Sequence, residues 1–207
     1  MTIKAGDRLP DATFMTSGPE GPRPITSDEL FKGKTVAVLA LPGAFTPTCS
    51  AKHLPGFKEH AAEFRAKGVD TIACISVNDV FVMKAWGLDQ GVGDDIIMLA
   101  DGNGDFTKAI GLEMDGSKFG MGLRSQRYSM IVKDGMVDTL NVEAGGEFKV
   151  SSADYMLAQL YPIRDRHLRC LSLFAPIPSP APPRPGRHRP PGRARSPAPV
   201  RRRTARR

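Results

Sequence analysis

Two short runs, TVAVLAL (35–41) and DTIACISV (70–77), constrain this chain more than any other feature. Both are β-branched, apolar and uninterrupted, the pattern of strands buried on both faces, and such strands occur where helices cover a sheet on two sides. Between them Leu54, Phe57, Ala61 and Phe64 recur at three- and four-residue spacing with charges elsewhere, which predicts an amphipathic helix. A strand, a helix and a second strand in that order imply a parallel pair joined by a crossover.

The rest of the first 163 residues continues the alternation. VFVMKAWGL (80–88) predicts a helix, DIIMLA (95–100) a strand and GDFTKAIGL (104–112) another helix. RYSMIVKDGMVDTLNV (127–142) reads as two strands around an Asp134-Gly135 turn, a strong hairpin signal. Ser151 and Ser152 are suited to cap a helix running from Ala153 to Leu160. The order predicts an α/β fold of thioredoxin-like type, a central mixed β-sheet flanked by helices.

Charge divides the chain at the end of that pattern. The formal net charge over 207 residues is +7, with 29 bases against 22 acids. From Arg164 onward there are 13 arginines, no lysine and one acid, a net +12; residues 1–163 hold the other 16 bases and 21 acids, a net −5. Ten of the 18 prolines also lie beyond residue 175. A segment so charged and so poor in large apolar residues cannot offset its ordering entropy, so residues 164–207 are expected to be a disordered, basic C-terminal tail. A folded unit over residues 1–163 is expected to precede it. The tail admits three readings: electrostatic binding of nucleic acid or an anionic membrane, a functionless extension, or translation of a GC-rich stretch out of frame. It has no aromatic interleaving for base stacking, so a nucleic-acid partner is disfavoured.

No stretch approaches the roughly 18 apolar residues of a membrane helix, and MTIKAGDRLP has no signal-peptide h-region. Cys49, Cys74 and Cys170 are too few for a disulfide scaffold and fit a reducing compartment, so the chain is expected in the cytoplasm.

Chemistry concentrates in LALPGAFTPTCSAKHLPGF, where a buried strand runs into a helix. Pro47 suits the first helical position, which makes Thr46 the N-cap and Cys49 the third residue of the helix. A sulfur there lies near free backbone N–H groups and the positive end of the helix dipole, which favour a nucleophilic thiolate. A buried, structural cysteine is the competing reading. Pro55-Gly56 should bend the helix one or two turns later.

Pro42-x-x-x-Thr46-x-x-Cys49 resembles the active-site pattern of peroxiredoxins, and the fuller PGAFTPTCSAKHLPGF resembles their type II (peroxiredoxin 5) subfamily. Further matches are ACISVNDVFVMKAW, LADGNGDFTKAIGLEMD, RSQRYSMIV and LNVEAGGEFKVSSADYML, so the resemblance spans residues 3 to about 161. It implies a peroxidase in which Cys49 attacks peroxide and becomes a sulfenic acid. It further implies that Thr46 hydrogen-bonds peroxide and thiolate, that Pro42 shields the sulfur, and that the N–H groups of Gly43 and Cys49 line the pocket. A distant arginine completes the family's site. From the residues alone Arg124 and Arg127 are equal candidates, and the family match prefers Arg127.

The segment GGEFKVSS, where some members of the subfamily carry a resolving cysteine, holds Val150 and Ser151 and no thiol. The pattern therefore resembles the members regenerated by glutathione and glutaredoxin. Cys74, mid-strand, is read as structural, with a thioredoxin-dependent cycle using it as resolving thiol as the alternative; Cys170 would have to fold back from the tail. A redox-sensing relay is the rival from another class. The resemblance also implies a homodimer and no metal or other cofactor. His53, four residues after Cys49, is expected to pack or hydrogen-bond near the pocket rather than bind metal, since no other ligands complete a site.

Overall fold

Thr35–Leu41 and Thr71–Ser76 lie side by side and parallel in the middle of a seven-stranded sheet, in register from Val36–Thr71 to Leu41–Ser76. The computed structural model describes residues 1–160. The boundary expected after residue 163, the basic tail and Cys170 lie outside the described residues.

In chain order the elements are β1 (Thr13–Gly18), β2 (Gly21–Thr26), α1 (Ser27–Phe31), β3 (Thr35–Leu41), a π-helical turn (Cys49–His53), α2 (Leu54–Glu59), α3 (Ala61–Ala66), β4 (Thr71–Ser76) and α4 (Val80–Asp89). There follow β5 (Ile97–Ala100), α5 (Asp105–Ala109), β6 (Glu113–Asp115), a 3-10 turn (Ser117–Phe119), β7 (Leu123–Ser125), β8 (Tyr128–Lys133), β9 (Met136–Val142) and α6 (Ala153–Gln159). The sheet order is β2-β1-β5-β4-β3-β8-β9, with β3, β4 and β5 parallel and the other neighbours antiparallel. This is the expected mixed sheet of the thioredoxin-like α/β fold.

The continuous apolar character of β3 follows from its position. Ala37, Leu39 and Leu41 enter one core with Phe57, Phe64, Trp86 and Met156 from α2, α3, α4 and α6. Val36, Val38 and Ala40 enter a second core on the opposite face with Leu30, Phe31 and Phe106 from α1 and α5. Side chains alternate across a strand, so a strand between two helical layers needs apolar residues at every position. Phe57 and Phe64 stack with centroids 5.3 Å apart in the first core; burying each such ring contributes about 2–3 kcal/mol.

Two expectations are corrected here. The helix predicted over Leu54 to Phe64 is two helices, because His60, at φ −95° and ψ 10°, interrupts it. The bend expected at Pro55-Gly56 takes the form of a π-turn just ahead of Pro55, in which Leu54 N–H reaches back to Cys49 O. Proline has no N–H to give and its ring crowds the carbonyl four residues earlier, so the turn widens on its N-terminal side. The Asp134-Gly135 turn is as expected: both residues have positive φ, +48° and +74°, which matches the twist of β8 and β9. The hairpin β1–β2, which the sequence did not announce, extends the sheet beyond β5, and the equally unannounced helix α1 follows it.

Candidate active site

Strand β3 delivers the chain to Pro42 at the edge of the first core, and a tight turn returns it into helix. Pro47 and Thr48 are helical and Cys49 is the third helical residue, as expected from the proline. Ser50 N–H donates to Thr46 O at 3.0 Å, the first bond of the helix. The expected side-chain cap is absent, because the Thr46 hydroxyl donates to Gly43 O at 2.9 Å instead. That bond closes the turn on itself and turns the hydroxyl away from the helix amides. Within the turn Phe45 has φ +59°, a conformation bulky residues rarely adopt and one that clusters at functional sites. Its half-exposed ring leans on Trp86, 6.5 Å between centroids. The Trp86 indole N–H donates to Ser50 Oγ at 3.0 Å, which ties α4 to the residue after the cysteine.

Cys49 is fully buried, and so is His53 one turn later. Arg127, the residue before β8, reaches both: its Nη2 donates to Cys49 Sγ at 3.4 Å and its Nη1 to His53 Nδ1 at 3.1 Å. Arg124 is placed elsewhere, with Nη1 on Val77 O and Nε on Met121 O, each at 2.8 Å. Of the two arginines, the structure brings Arg127 to the sulfur. Arg124 instead backs the turn, its Nη1 3.6 Å from where a Cβ on Gly43 would stand. Asn78 supports the same turn by accepting from Ala44 N–H at 3.0 Å and from Ser76 Oγ at 2.8 Å. Pro42 is half-buried and Gly43 buried beside these groups.

A guanidinium only donates, so His53 Nδ1 must accept from Arg127. The ring's hydrogen is then on Nε2, which donates to Ser151 O at 3.1 Å. Burial, reinforced by the Arg127 charge, pushes His53 down to about 3, so it is neutral at physiological pH. Both ring nitrogens are engaged, and among the described residues no group of three or more His, Cys, Asp or Glu can hold a metal ion. Phe148 covers the pair: its ring meets His53 edge-on at 5.3 Å, and Arg127 Cζ lies 5.8 Å from its centroid.

Cys74, on β4, is fully buried in the core that holds Cys49, and both are free thiols. Burial, with a smaller contribution from Cys49, pushes its thiol well above the ordinary range. Sequence reasoning missed Glu143 and read Ser151 only as a helix cap beside Ser152; Ser152 is the cap, and the Ser151 hydroxyl donates to Glu143 Oε1 instead. Both residues are buried and tied to this site through His53. A lone glutamate after a strand carries no sequence signal of burial. Among the described residues no helix is long and apolar enough to cross a membrane.

The Redoxin family profile matches residues 4–157. Peroxiredoxin-2E-2, chloroplastic, of Oryza sativa subsp. japonica is 53% identical over 164 residues, covering 77% of this chain and 73% of that protein. Peroxiredoxin-2B of Arabidopsis thaliana is 47% identical over 159 residues, covering 76% of this chain and 98% of that one. The crystal structure of reduced Prx3 in complex with H2O2 from Vibrio vulnificus superposes with a TM-score of 0.75 at 55% identity, covering 77% of this chain and all of that one. Similarity of this depth runs through the whole stretch that carries Cys49, His53 and Arg127, and on it the chain belongs to the redoxin family as a peroxiredoxin, a peroxide-reducing oxidoreductase.

Proposed function

We propose that this peroxiredoxin reduces hydrogen peroxide and small alkyl hydroperoxides through Cys49 and is regenerated by glutathione and glutaredoxin. The observation that carries the reading is the Arg127 Nη2 contact on a fully buried Cys49 Sγ. The Cys49 sulfur attacks the hydroxyl-bearing oxygen of the peroxide, the O–O bond breaks, and a sulfenic acid forms. The leaving alkoxide or hydroxide takes a proton and departs as alcohol or water. Arg127, a fixed bidentate donor, stabilises charge on sulfur before attack and on the leaving oxygen after it. Thr46 hydrogen-bonds the incoming peroxide, the backbone N–H groups of Gly43 and Cys49 line the pocket, and Pro42 shields the sulfur from water. The named complex of the Vibrio protein with H2O2 supports hydrogen peroxide as substrate.

An external thiol then condenses with the sulfenic acid and expels water, and a second thiol releases Cys49 as a mixed disulfide is exchanged. The buried, protonated state of Cys74 supports this one-cysteine cycle over resolution by Cys74. Such an enzyme serves redox homeostasis and the response to oxidative stress. The exposed ring of Phe45 beside the site supports a homodimer formed around it, which sedimentation velocity would detect. The thiol content supports the cytoplasm, although a plant relative is named chloroplastic; fractionation of the source cells decides between compartments.

The test is peroxide consumption with glutathione and glutaredoxin, and with thioredoxin in parallel. Cys49→Ser should abolish turnover, while Cys74→Ser should keep most of it with the glutaredoxin system. Turnover that needs Cys74, or that runs on thioredoxin alone, replaces the proposed reductant. Oxidation of Cys49 without steady turnover on either system makes the chain a redox relay.

A further inference from the structure

Beyond Cys49 and Arg127, one buried carboxylate near the site has no part in the chemistry above. We infer that Glu143 is a positioning residue for the reaction at Cys49: it ties down the segment ending at Ser151, whose carbonyl orients His53 and, through His53, the guanidinium of Arg127.

Glu143 is 8% exposed, at the end of β9. A single oxygen, Oε1, accepts from Lys149 N–H at 2.6 Å, Ser151 N–H at 2.7 Å and Ser151 Oγ at 2.8 Å. Its own N–H donates to Arg127 O at 2.9 Å, so one residue holds the backbone at both ends of the relay. Burial alone would raise this carboxyl; the hydrogen bonds from Ser151 and Lys149 outweigh burial and hold it below the ordinary carboxylate range. The segment between, Ala144 to Val150, is mostly exposed and carries Gly145 and Gly146. Phe148 and Val150 are the only large apolar side chains of this loop and both are only half-buried, so the buried carboxylate is the main tie that closes it.

From Ser151 the consequence runs through three contacts. Ser151 O accepts from His53 Nε2–H, which leaves Nδ1 as an acceptor. That acceptor holds Arg127 Nη1, and the planar guanidinium then has Nη2 on the sulfur. Were Ser151 to swing away, His53 would lose its carbonyl partner, and Arg127 would lose the neighbour that sets the plane of its fork. The inference rests on the peroxidase reading for its rate effect, but the effect on the Cys49 sulfur stands without it.

The experiment measures two quantities on the full chain: the rate of the reduced protein with hydrogen peroxide, and the pH midpoint for alkylation of Cys49 by iodoacetamide in a Cys74→Ser, Cys170→Ser background, which leaves Cys49 as the one thiol. Glu143→Ala should slow the peroxide reaction about tenfold, less than the ~10²-fold typical of removing a stabilising donor itself, and move the alkylation midpoint upward. Glu143→Gln keeps the same oxygen acceptor and should stay within about twofold of wild type. In an Arg127→Ala background, Glu143→Ala should add less than about twofold, because its route to the sulfur is already cut. Equal losses in both backgrounds, an unmoved alkylation midpoint, or a glutamine variant as slow as alanine overturns the proposal. If Glu143→Ala fails to fold, Glu143→Asp, one methylene short of the three donors, carries the same expectation, and wild-type values for it overturn the proposal equally. A wild-type chain that is alkylated normally yet consumes no peroxide refutes the peroxidase reading and leaves the alkylation comparison to judge Glu143.

Discussion

An imidazole with a guanidinium at Nδ1 and a carbonyl at Nε2 has one comfortable protonation state, neutral with its hydrogen on Nε2. His53 is in that position, and its folded-state value near 3 contrasts with an ordinary 6.5. Between those two values the unfolded chain binds a proton that the native protein refuses, so the unfolded state gains as pH falls and stability rises with pH. The expected loss on going from pH 7.5 to 5 is about 2 kcal/mol from this one residue. Glu143 has the usual carboxylate sign: the stability its hydrogen bonds give is present above its unfolded value and is lost below it, so it adds to the acid sensitivity at lower pH. His60, raised mainly by its hydrogen bond to Glu63, acts in the opposite direction, present at low pH and lost as pH rises. Wild type must therefore be compared with a variant rather than read alone. His53→Gln should show a flatter dependence of urea-unfolding free energy on pH between 7.5 and 5, whatever its stability at pH 7.5. Parallel curves for the two proteins would mean that His53 is protonated in the native state, with Arg127 displaced from it.

Among the elements, the hairpin β8–β9 offers the clearest local test, because its turn conformation is imposed by two residues. Gly135 has φ +74°, and a Cβ there would stand 3.1 Å from Arg8 Nη1, the free end of a flexible side chain that can move aside. The cost of Gly135→Ala is thus mainly backbone strain, about 1–2 kcal/mol, and should appear as a lower urea midpoint with unchanged peroxide consumption. A midpoint equal to wild type would mean that the turn relaxes to another type. This turn was legible in the sequence because Asp-Gly has few other uses between two apolar runs, and β3 and β4 were legible because a twice-buried strand is almost wholly apolar, polar only at its ends, Thr35, Thr71 and Ser76. The hairpin β1–β2 was not. Strand β2 reads Gly-Pro-Arg-Pro-Ile-Thr, and two prolines argue against a strand. Their alternate spacing puts both missing N–H groups on one side, and an edge strand can spare one side. The site divides in the same way. Cys49 is legible from its place after β3 and Pro47, which are local in sequence. Arg127 was preferred over Arg124 only by resemblance, since the choice depends on which guanidinium β8 and β7 carry across the fold. Glu143 leaves no trace in the sequence and Ser151 reads there only as a helix cap, because their burial is a property of the loop they close.

For the molecule as a whole, the net charge of +7 is the sum of a −5 part with every group around Cys49 and a +12 part beyond residue 163. All the elements described, both cores and the Glu143–His53–Arg127 connection lie within residues 1–160. A chain ending at residue 163 should therefore consume peroxide at the full-length rate and unfold at the same urea concentration, while its binding shifts from cation to anion exchange resin. The same pair of proteins tests the role of the arginines. Polycation binding to duplex DNA weakens steeply with salt, as condensed counterions are released. If the tail has no nucleic-acid role, full-length and shortened chains should both pass through immobilised duplex DNA at about 0.15 M salt, where surface charges are screened beyond ~8 Å. Retention at that salt by the full chain alone, with a steep slope against salt concentration, would instead give the tail a nucleic-acid partner and place the peroxidase beside it. A full-length rate that differs from the shortened chain's would show that the tail reaches the site, and only then does Cys170 become a candidate in the cycle of Cys49.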